Sequence, residues 1–390
     1  MRRTRNWPEF DDEQVAAVTE VLRSGKVNAW TGPDVTAFET EFAAHAGTRF
    51  AIAMANGTVT LDAALRALDL APGDEVIVSP RSFVASASCV LLAGGIPVFV
   101  DVDPDSQNIT PDTIAAAITP RTVGIIPVHL AGWPCEMGAI MDLAARHGLW
   151  VIEDCAQAHG AMIGPRVVGG FGTLGSYSFC QDKIMTTGGE GGMIVTDDAA
   201  LYDRIWSFKD HGKDRALVHA TDHPPGFRWL HGRGPGTNLR MTGLSAALGR
   251  VQLRRLPEWH RIRTRNALRL AAALAEAEVL RVPLPPPGIT HAWYRLYAFV
   301  RPDRLAPGWD RDRILAEIGA RGFPAFSGSC SEIYREGCFA AKGLHPAEPL
   351  PTARALGETS LAFLVDPTWS DPEIDQIAAA ITEVTRNAVR

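Results

Sequence analysis

Hydrophobic residues form short runs along the first half of the chain, and longer mixed stretches separate these runs. The runs are continuously apolar instead of alternating with polar residues, which is typical of strands in a parallel sheet covered on both faces. They predict strands at 50–54, 75–79, 97–102, 123–128 and 149–153. The stretches between them predict helices at 59–68, 83–93, 113–118 and 137–147. Strands that alternate with helices predict right-handed crossovers and an α/β layered domain.

The flanking parts of the chain extend this pattern and add a second, smaller unit. They predict helices at 11–24, through Phe38 and Phe42, and at 199–207, 244–277, 311–320 and 372–384. They predict strands at 176–179, 193–196 and 293–300, and a proline-rich hinge at 283–287. Residues 209–237 are polar and aperiodic, and so long a stretch in a compact domain indicates a functional or interface loop. We therefore predict a large α/β domain at 1–255 and a small α+β domain at 256–390.

Composition narrows the possible functions. The chain has 390 residues, 46% of them hydrophobic, and a net charge of −6, so a large core is expected and a nucleic-acid partner is not. The most apolar run, at 84–100, is broken by glycine and proline and is too short for a membrane span, and no signal peptide precedes it. The six cysteines show no CxxC spacing, which we interpret as reduced, buried thiols of a cytoplasmic protein.

A lysine follows the predicted strand at 176–179. Lys183 has mostly apolar and small residues after it, and the glycines at 188–192 predict a tight turn into the next strand. A lysine near apolar neighbours loses solvation, which favours its neutral amine, the nucleophile that forms a Schiff base with an aldehyde. The alternative is a surface lysine paired with Asp182.

The place of Lys183 in the predicted sheet favours the first interpretation. Ligands of parallel α/β sheets bind at the carboxyl ends of the strands. The polar and aromatic groups at those ends are Asn56–Gly57–Thr58, Ser82–Phe83, His129, Asp154 and Lys183. Because these ends meet at one edge of a sheet, the groups are expected to converge on one ligand.

Gly57 and Thr58 open a predicted helix directly after a strand. The backbone N–H groups and the dipole at a helix N-terminus suit a phosphate, and the alternative is an ordinary N-cap with a threonine hydroxyl. Ser178 could donate a second hydrogen bond to the same phosphate, or it could be an ordinary strand serine.

Other residues near these strand ends fit an aromatic ring. Asp154 ends a buried strand, where a carboxylate is costly unless a pyridinium nitrogen, or alternatively an arginine or lysine, pairs with it. Gln157 could hydrogen-bond a phenolate oxygen, and Phe83 could stack on the ring or pack in the core. His159 is a candidate substrate contact or a structural histidine, and Trp30 could line a pocket or join the core.

An aldehyde, a phosphate, a pyridinium nitrogen and a stacking face together describe pyridoxal 5'-phosphate (PLP). The sequence contains no HExxH motif and no carboxylate cluster, and no GxGxxG motif or P-loop follows a predicted strand. PLP is therefore the cofactor that we predict.

The chain resembles the DegT/DnrJ/EryC1/StrS family of sugar aminotransferases. The matching segments, in family order, are 38–42, 56–58, 97–101, 128–130, 153–160, 176–179 with Lys183, 189–192, 238–241 and 246–249. The strand–lysine–GEGG segment is the most specific of them. The resemblance implies fold type I of the PLP-dependent transferases (aspartate-aminotransferase-like), with a mostly parallel central sheet and a smaller C-terminal α+β domain.

The resemblance also implies a role for each matching residue. Lys183 would form the Schiff base and then act as acid and base in the 1,3-proton shift, and Asp154 would bind the pyridine nitrogen. Gln157 would contact the phenolate side of the ring, and Phe83 would stack on it. The phosphate ligands would be Gly57, Thr58, Ser178 and Asn238. Because Asn238 reaches the phosphate of the neighbouring subunit in this family, the active site is expected to form only in a homodimer, closed in part by residues 209–237.

The implied activity is transamination by a ping-pong mechanism, in which L-glutamate converts the cofactor to its amine form (PMP) and a sugar then takes the amine. The acceptor could be a nucleotide-linked keto-sugar, the 8-keto form of 3-deoxy-octulosonate (Kdo) or a keto-cyclitol. Segments 79–83, 180–183 and 224–230 are similar to a subgroup that aminates C8 of Kdo. Arg228, Trp229, His231 and Arg233 could bind either a diphosphate or a sugar-acid carboxylate.

Two other classes of protein share this fold. Some family members carry histidine in place of the lysine and eliminate water from a sugar, and Lys183 argues against that branch. A non-catalytic regulator is a further alternative, against which Lys183 and Asp154 both argue.

Overall fold

The computed structural model describes residues 6–220 and 229–390. The α-helices in this part of the chain are α1 (Asp12–Ser24), α2 (Asp34–Ala46), α3 (Gly57–Ala67), α4 (Ala85–Leu92), α5 (Pro111–Ala115), α6 (Met137–His147), α7 (Ala199–Lys209), α8 (Arg215–His219), α9 (Gly243–Ala275), α10 (Arg311–Ala320), α11 (Gly337–Ala340), α12 (Pro351–Thr359) and α13 (Asp371–Asn387). Short 3₁₀ helices lie at Leu130–Gly132, Pro302–Arg304 and Ile333–Arg335. None of these helices combines the length and the apolar character needed to cross a membrane.

The strands in the same part of the chain are β1 (Phe50–Met54), β2 (Glu75–Val78), β3 (Ile96–Phe99), β4 (Thr122–Ile126), β5 (Trp150–Asp154), β6 (Met162–Ile163), β7 (Arg166–Val167), β8 (Leu174–Ser178), β9 (Gly192–Thr196), β10 (Leu280–Arg281), β11 (Ile289–Thr290), β12 (Leu296–Val300), β13 (Ala325–Phe326) and β14 (Ser360–Phe363). They form a seven-stranded sheet, a four-stranded sheet and a small three-stranded sheet of β11, β6 and β7.

The central sheet has seven strands in the order β1-β9-β8-β5-β4-β2-β3. Strand β9 is antiparallel to both of its neighbours, and the other adjacent pairs are parallel. Alternate residues of β1 belong to different cores, because Ala53 packs in the cluster that contains Phe42, and Ile52 packs in the cluster that contains Leu65. Both faces of the sheet are therefore covered, and the predicted α/β fold with a mostly parallel sheet is confirmed.

The C-terminal part of the chain forms an antiparallel sheet in the order β10-β12-β14-β13. Its core includes residues of α10, α13 and the end of α9. The beginning of α9 instead packs in a core of the central sheet, through residues such as Ala246 and Leu253. Because α9 runs through residue 255, one continuous helix joins the two sheets, and the division at 255 stays a prediction.

Most predicted elements lie within a few residues of the observed ones, and the helices at 137–147 and 311–320 have the predicted bounds. Helix α4 begins at Ala85, so Phe83 lies in the turn before the helix and does not start it. The stretch predicted as a loop begins inside α7 and contains the short helix α8, and residues 221–228 lie outside the described part of the chain.

The cysteines differ in their environments. All are free thiols, and Cys89, Cys135 and Cys155 are buried as predicted. Cys330 and Cys338 are exposed, so the prediction of buried thiols is wrong for these two. Cys330 lies in irregular chain after β13 and Cys338 lies in the short helix α11, and both border an open cavity. The sequence pattern did not distinguish these segments from a buried apolar element.

A buried carboxylate fixes the end of strand β5. Glu153 is fully buried, and its Oε1 accepts hydrogen bonds from the N–H groups of Phe171 (2.7 Å) and Gly172 (2.6 Å). Its Oε2 accepts a hydrogen bond from the N–H group of Gly169 (2.7 Å) and contacts Nε2 of His129 at 3.1 Å. A buried carboxylate is stable only when it is paired in this way, and here the pairing attaches the loop before β8 to the end of β5.

We expect Glu153→Gln to lower the free energy of unfolding by about 2–4 kcal/mol, because the amide nitrogen cannot accept a hydrogen bond and would face backbone N–H donors. Urea denaturation measures the change. Glu20→Gln, at an exposed position of α1, is the control and should change stability by less than about 0.5 kcal/mol. Equal stability of the two variants would contradict this account of the β5 end.

Candidate active site

Lys183 lies in the turn between β8 and β9 and lines a cavity of about 730 Å³. Its side chain is half-buried, and Nζ lies 5.1 Å from the centroid of the Tyr294 ring. Its carbonyl oxygen accepts a hydrogen bond from Nε1 of Trp7 at 2.7 Å. The turn thus holds the lysine amine beside an open space large enough for a cofactor and a substrate.

The neighbouring Asp182 does not form an ion pair with Lys183. No carboxylate of the described residues lies within 4.0 Å of Nζ, and Asp182 instead accepts a hydrogen bond from the hydroxyl of Tyr294. Burial raises the pKa of Asp182, but the charge of Lys183 and the Tyr294 hydroxyl outweigh it, so the pKa is lowered overall. The alternative of a surface lysine paired with Asp182 therefore finds no ion pair among the described residues.

Asp154 is the last residue of β5, and β5 lies beside β8, the strand that leads to Lys183. Its side chain is nearly buried, with Oδ2 accepting a hydrogen bond from Oγ of Ser86 (2.7 Å) and Oδ1 accepting one from the N–H of Ala156 (3.1 Å). Among the described residues, no cationic side chain lies within 4.0 Å of this carboxylate. A buried carboxylate without a cation fits the pyridinium nitrogen of PLP, and the alternative of an arginine or lysine partner is wrong.

Gly57 and Ser178 meet where a phosphate was predicted. Gly57 begins α3, and a Cβ at this position would lie 2.5 Å from Cβ and 2.9 Å from Oγ of Ser178, so only glycine fits without movement. The helix is capped by Asn56, whose Oδ1 accepts hydrogen bonds from the N–H groups of Thr58 (3.1 Å) and Val59 (3.0 Å). The cap is therefore Asn56 and not Thr58, whose exposed hydroxyl stays at the helix N-terminus together with Ser178.

Gln157 and Phe83 lie on the wall of the same cavity as Lys183. Oε1 of Gln157 accepts a hydrogen bond from the N–H of Ala131 at 2.7 Å, which assigns its amide nitrogen as the donor that a phenolate oxygen would require. Phe83 is 66% exposed, so it does not pack in the core. An exposed ring on a cavity wall is suited to stacking on a flat cofactor.

Of the other predicted contacts, Trp30, Trp229 and Asn238 do not line this cavity. Trp30 is partly exposed and lies beside Lys213, with Nζ 4.3 Å from the ring centroid. Trp229 is 88% exposed, and Asn238 is also on the surface. Arg228 lies outside the described residues. The exposure of Asn238 agrees with a contact to a second subunit, and the roles of all four stay predictions.

His159 is fully buried between aromatic rings. Its ring centroid lies 5.5 Å from that of Tyr177 and 5.6 Å from that of Phe179. Burial and the charge of Lys183 lower its pKa to about 3, so the imidazole is neutral at physiological pH. His159 does not line the cavity, and this position agrees with the structural alternative.

Two residues of the site were not predicted from the sequence. Ser86 donates to Asp154, and its Oγ also lies 2.8 Å from Oγ of Ser82. Tyr294 is buried beside Lys183, and burial raises the pKa of its hydroxyl, so it stays protonated and donates to Asp182. No sequence signal links Ser86 to Asp154 or Tyr294 to Lys183, because the two residues of each pair lie far apart in the chain.

A second cluster of polar side chains lies deeper in the structure. Ligand atoms of His129, Glu153 and Cys155 lie within 4.8 Å of one another. However, the Nδ1 of His129 accepts a hydrogen bond from the N–H of Cys135 at 2.9 Å, and Nε2 and Glu153 bind each other. Burial raises the pKa of Cys155, so its thiol stays protonated. The cluster is a hydrogen-bonded part of the core.

The comparisons with known proteins agree on one protein family. The profile of the DegT/DnrJ/EryC1/StrS aminotransferase family matches residues 8–382. The chain is 33% identical over 381 residues to the spore coat polysaccharide biosynthesis protein SpsC of Bacillus subtilis, covering 98% of this chain and 96% of SpsC. It is 32% identical over 377 residues to dTDP-3-amino-3,4,6-trideoxy-alpha-D-glucose transaminase of Streptomyces venezuelae, covering 97% of this chain and 93% of that enzyme.

The structure is also similar to a solved one. The crystal structure of an aminotransferase from Psychrobacter cryohalolentis superposes with a TM-score of 0.97 at 53% sequence identity. The match covers 98% of this chain and 99% of the other.

We expect Gly57→Ala to weaken PLP binding at least about tenfold, because its Cβ would push Ser178 out of the proposed phosphate site. Absorption titration of the cofactor-free protein with PLP measures the dissociation constant. Gly138→Ala is the matched control, since a Cβ there has nothing within 4 Å, and its dissociation constant should equal that of the unchanged protein. An unchanged PLP affinity in Gly57→Ala would disprove the proposed cradle.

Proposed function

Because the chain belongs to the DegT/DnrJ/EryC1/StrS aminotransferase family, whose members are PLP-dependent sugar aminotransferases, we propose that it transfers the amino group of L-glutamate to a keto or aldehyde carbon of a sugar. The observation that carries this proposal is the position of Lys183 on a cavity wall with Gln157 and Phe83. In the balanced reaction, glutamate becomes 2-oxoglutarate, and the carbonyl carbon of the sugar becomes an amine-bearing carbon.

PLP, when bound, withdraws electrons from the carbon that carries the amino group. Nζ of Lys183 would hold the cofactor through its aldehyde and would then carry a proton from one carbon atom to the other as the amine moves. Asp154 would keep the ring nitrogen protonated, and Ser86 would hold the carboxylate of Asp154 in place. Neither Nζ of Lys183 nor the carboxylate of Asp154 forms an ion pair within the described part of the chain, so both groups are available to the cofactor.

The remaining cofactor contacts are assigned by position. Gly57, Thr58 and Ser178 would hold the phosphate at the N-terminus of α3, where backbone N–H groups favour an anion. Gln157 would donate to the phenolate oxygen, and Asn238 of a second subunit would complete the phosphate site. We therefore propose a homodimer in which each active site needs both chains.

A nucleotide-linked keto-sugar is the acceptor class that the relatives favour, because the Streptomyces relative is named for a dTDP-linked amino sugar. The 8-keto form of Kdo remains the second candidate, supported by the segments 79–83 and 180–183. A dehydratase is disfavoured, since Lys183 occupies the position at which the water-eliminating branch carries histidine.

We expect the PLP-loaded protein to change its visible absorption when glutamate is added, and Lys183→Ala to lower turnover by at least about 10²–10⁴-fold through the loss of the proton carrier. Stopped-flow absorption and a 2-oxoglutarate assay measure the two effects. The control is Lys342→Ala at an exposed position, which should keep full activity. Full turnover in Lys183→Ala would refute the mechanism.

We expect one class of a panel of nucleotide-linked keto-sugars, 8-keto Kdo and keto-cyclitols to gain a nitrogen label from glutamate labelled at its amino group. Mass spectrometry of the products identifies the class and separates the rival activity. A product that has lost water and contains no label would establish a dehydratase. The absence of any labelled product across the panel would count against the proposed acceptors.

A further inference from the structure

We propose that Arg295 is the residue that binds a substrate carboxylate in this active site, an inference that rests on the proposed function and specifies its substrate chemistry. Arg295 immediately precedes β12 and lines the same cavity as Lys183. Its side chain is half-buried, which makes an ionic contact stronger than it would be at the open surface.

Arg295 and Lys183 face the same aromatic side chain. The guanidinium carbon of Arg295 lies 4.2 Å from the centroid of the Tyr294 ring, and Nζ of Lys183 lies 5.1 Å from it. Nη1 of Arg295 donates to the carbonyl oxygen of Tyr294 at 2.9 Å. A substrate held by Arg295 would therefore lie next to the amine that performs the chemistry.

The guanidinium of Arg295 forms no close ion pair with a carboxylate of the described residues, although its charge helps to lower the pKa of Asp182. Within residues 6–220 and 229–390, no carboxylate oxygen lies within 4.0 Å of its nitrogen atoms. The acidic side chains on the cavity wall are Asp182 and Glu336, and Asp182 already accepts a hydrogen bond from the hydroxyl of Tyr294. The planar guanidinium can still bind a carboxylate through two parallel hydrogen bonds, the geometry for which arginine is suited.

A second arginine adds positive charge behind this wall. Arg81 is fully buried, and its guanidinium carbon lies 5.6 Å from the ring centroid of Tyr297, a residue that lines the cavity. Its side-chain hydrogen bonds go to neutral groups, Oε1 of Gln107 (2.8 Å) and Oγ of Ser360 (3.0 Å). This charge is not neutralised locally and favours an anion in the cavity.

The carboxylate could come from either substrate, because donor and acceptor occupy the cavity in turn in a ping-pong reaction. The donor glutamate has two carboxylates, and an acidic sugar such as Kdo has one. A nucleotide-linked sugar whose ring carries no carboxylate has none, so Arg295 would then bind only the donor glutamate. The two half-reactions, measured separately, distinguish these sources.

The experiment compares wild-type protein with Arg295→Gln, Arg295→Lys and the control Arg301→Gln, which removes the same charge from an exposed position just after β12. Binding of glutarate, an unreactive dicarboxylate, is measured by calorimetry on the PLP-loaded protein. The donor half-reaction is followed by absorption with glutamate, glutamine and the α-amide of glutamate. The acceptor half-reaction is followed from the PMP form with 8-keto Kdo and with a dTDP-linked keto-sugar.

We expect Arg295→Gln to weaken glutarate binding and to raise the half-saturating glutamate concentration at least about tenfold, with a smaller effect on the limiting rate. Arg295→Lys should be intermediate, and Arg301→Gln should behave as wild type. Glutamine and the α-amide of glutamate each lack one of the two carboxylates of glutamate. The one that lacks the carboxylate bound by Arg295 should react poorly with wild type, and its affinity should fall no further in Arg295→Gln. A loss of affinity for 8-keto Kdo alone would also support the proposal, and it would show that Arg295 binds the carboxylate of the acceptor.

Glutarate, glutamate and 8-keto Kdo affinities within about twofold of wild type in Arg295→Gln would overturn the inference and leave the transaminase proposal intact. Failure of the proposed function is a different result, in which wild type binds glutarate but glutamate produces no spectral change. In that case the glutarate affinities of the variants still decide whether Arg295 binds a carboxylate.

Discussion

The parallel pairing of β5 with β8 places Asp154 beside the strand that leads into the turn of Lys183. In this pairing Asp154 lies opposite Ser176, and the chain continues from β8 into the turn that carries Lys183. The paired end of β5 is held by Glu153, whose carboxylate binds the loop that precedes β8. The position of a carboxylate relative to an amine, on which the chemistry depends, is thus set by backbone hydrogen bonds and one buried ionic group.

The phosphate side of the site depends on close packing of backbones. The beginning of α3 lies against the end of β8 at Gly57, and the beginning of β9 lies equally close, since a Cβ on Gly192 would be 2.5 Å from the carbonyl oxygen of Asn56. Three chain segments therefore meet closely, because two of them present a glycine where a Cβ would collide. This packing leaves the helix N-terminus and two hydroxyl groups, those of Thr58 and Ser178, in a small region suited to an anion.

The sequence was most informative where local chemistry determines the structure. Continuous apolar runs predicted the strands of the central sheet, and the residues predicted near their ends included Lys183, Gln157 and Phe83, which share one cavity. Ser86 and Tyr294 were missed because their roles arise from tertiary contacts. The pattern of hydrophobic and polar residues along the chain does not reveal such contacts.

The roles of Trp30, Asn238 and Arg228 could not be decided in the same way. A contact made across two chains leaves only an exposed residue in one of them, and Arg228 is not among the described residues. The exposure of Cys330 and Cys338 was not predictable either, because irregular chain and a four-residue helix give no periodic signal of burial.

The hydrogen bond from Trp7 to the carbonyl of Lys183 links the start of the chain to its reactive turn. Trp7 packs edge-on against Trp259, with ring centroids 4.9 Å apart, and the guanidinium of Arg263 lies 4.9 Å from the Trp7 ring centroid. On the ribosome, the segment around Trp7 is made before α9, so it cannot dock on Trp259 and Arg263 until α9 has emerged. The turn that carries Lys183 therefore acquires the support of Trp7 only after the chain has been made through α9.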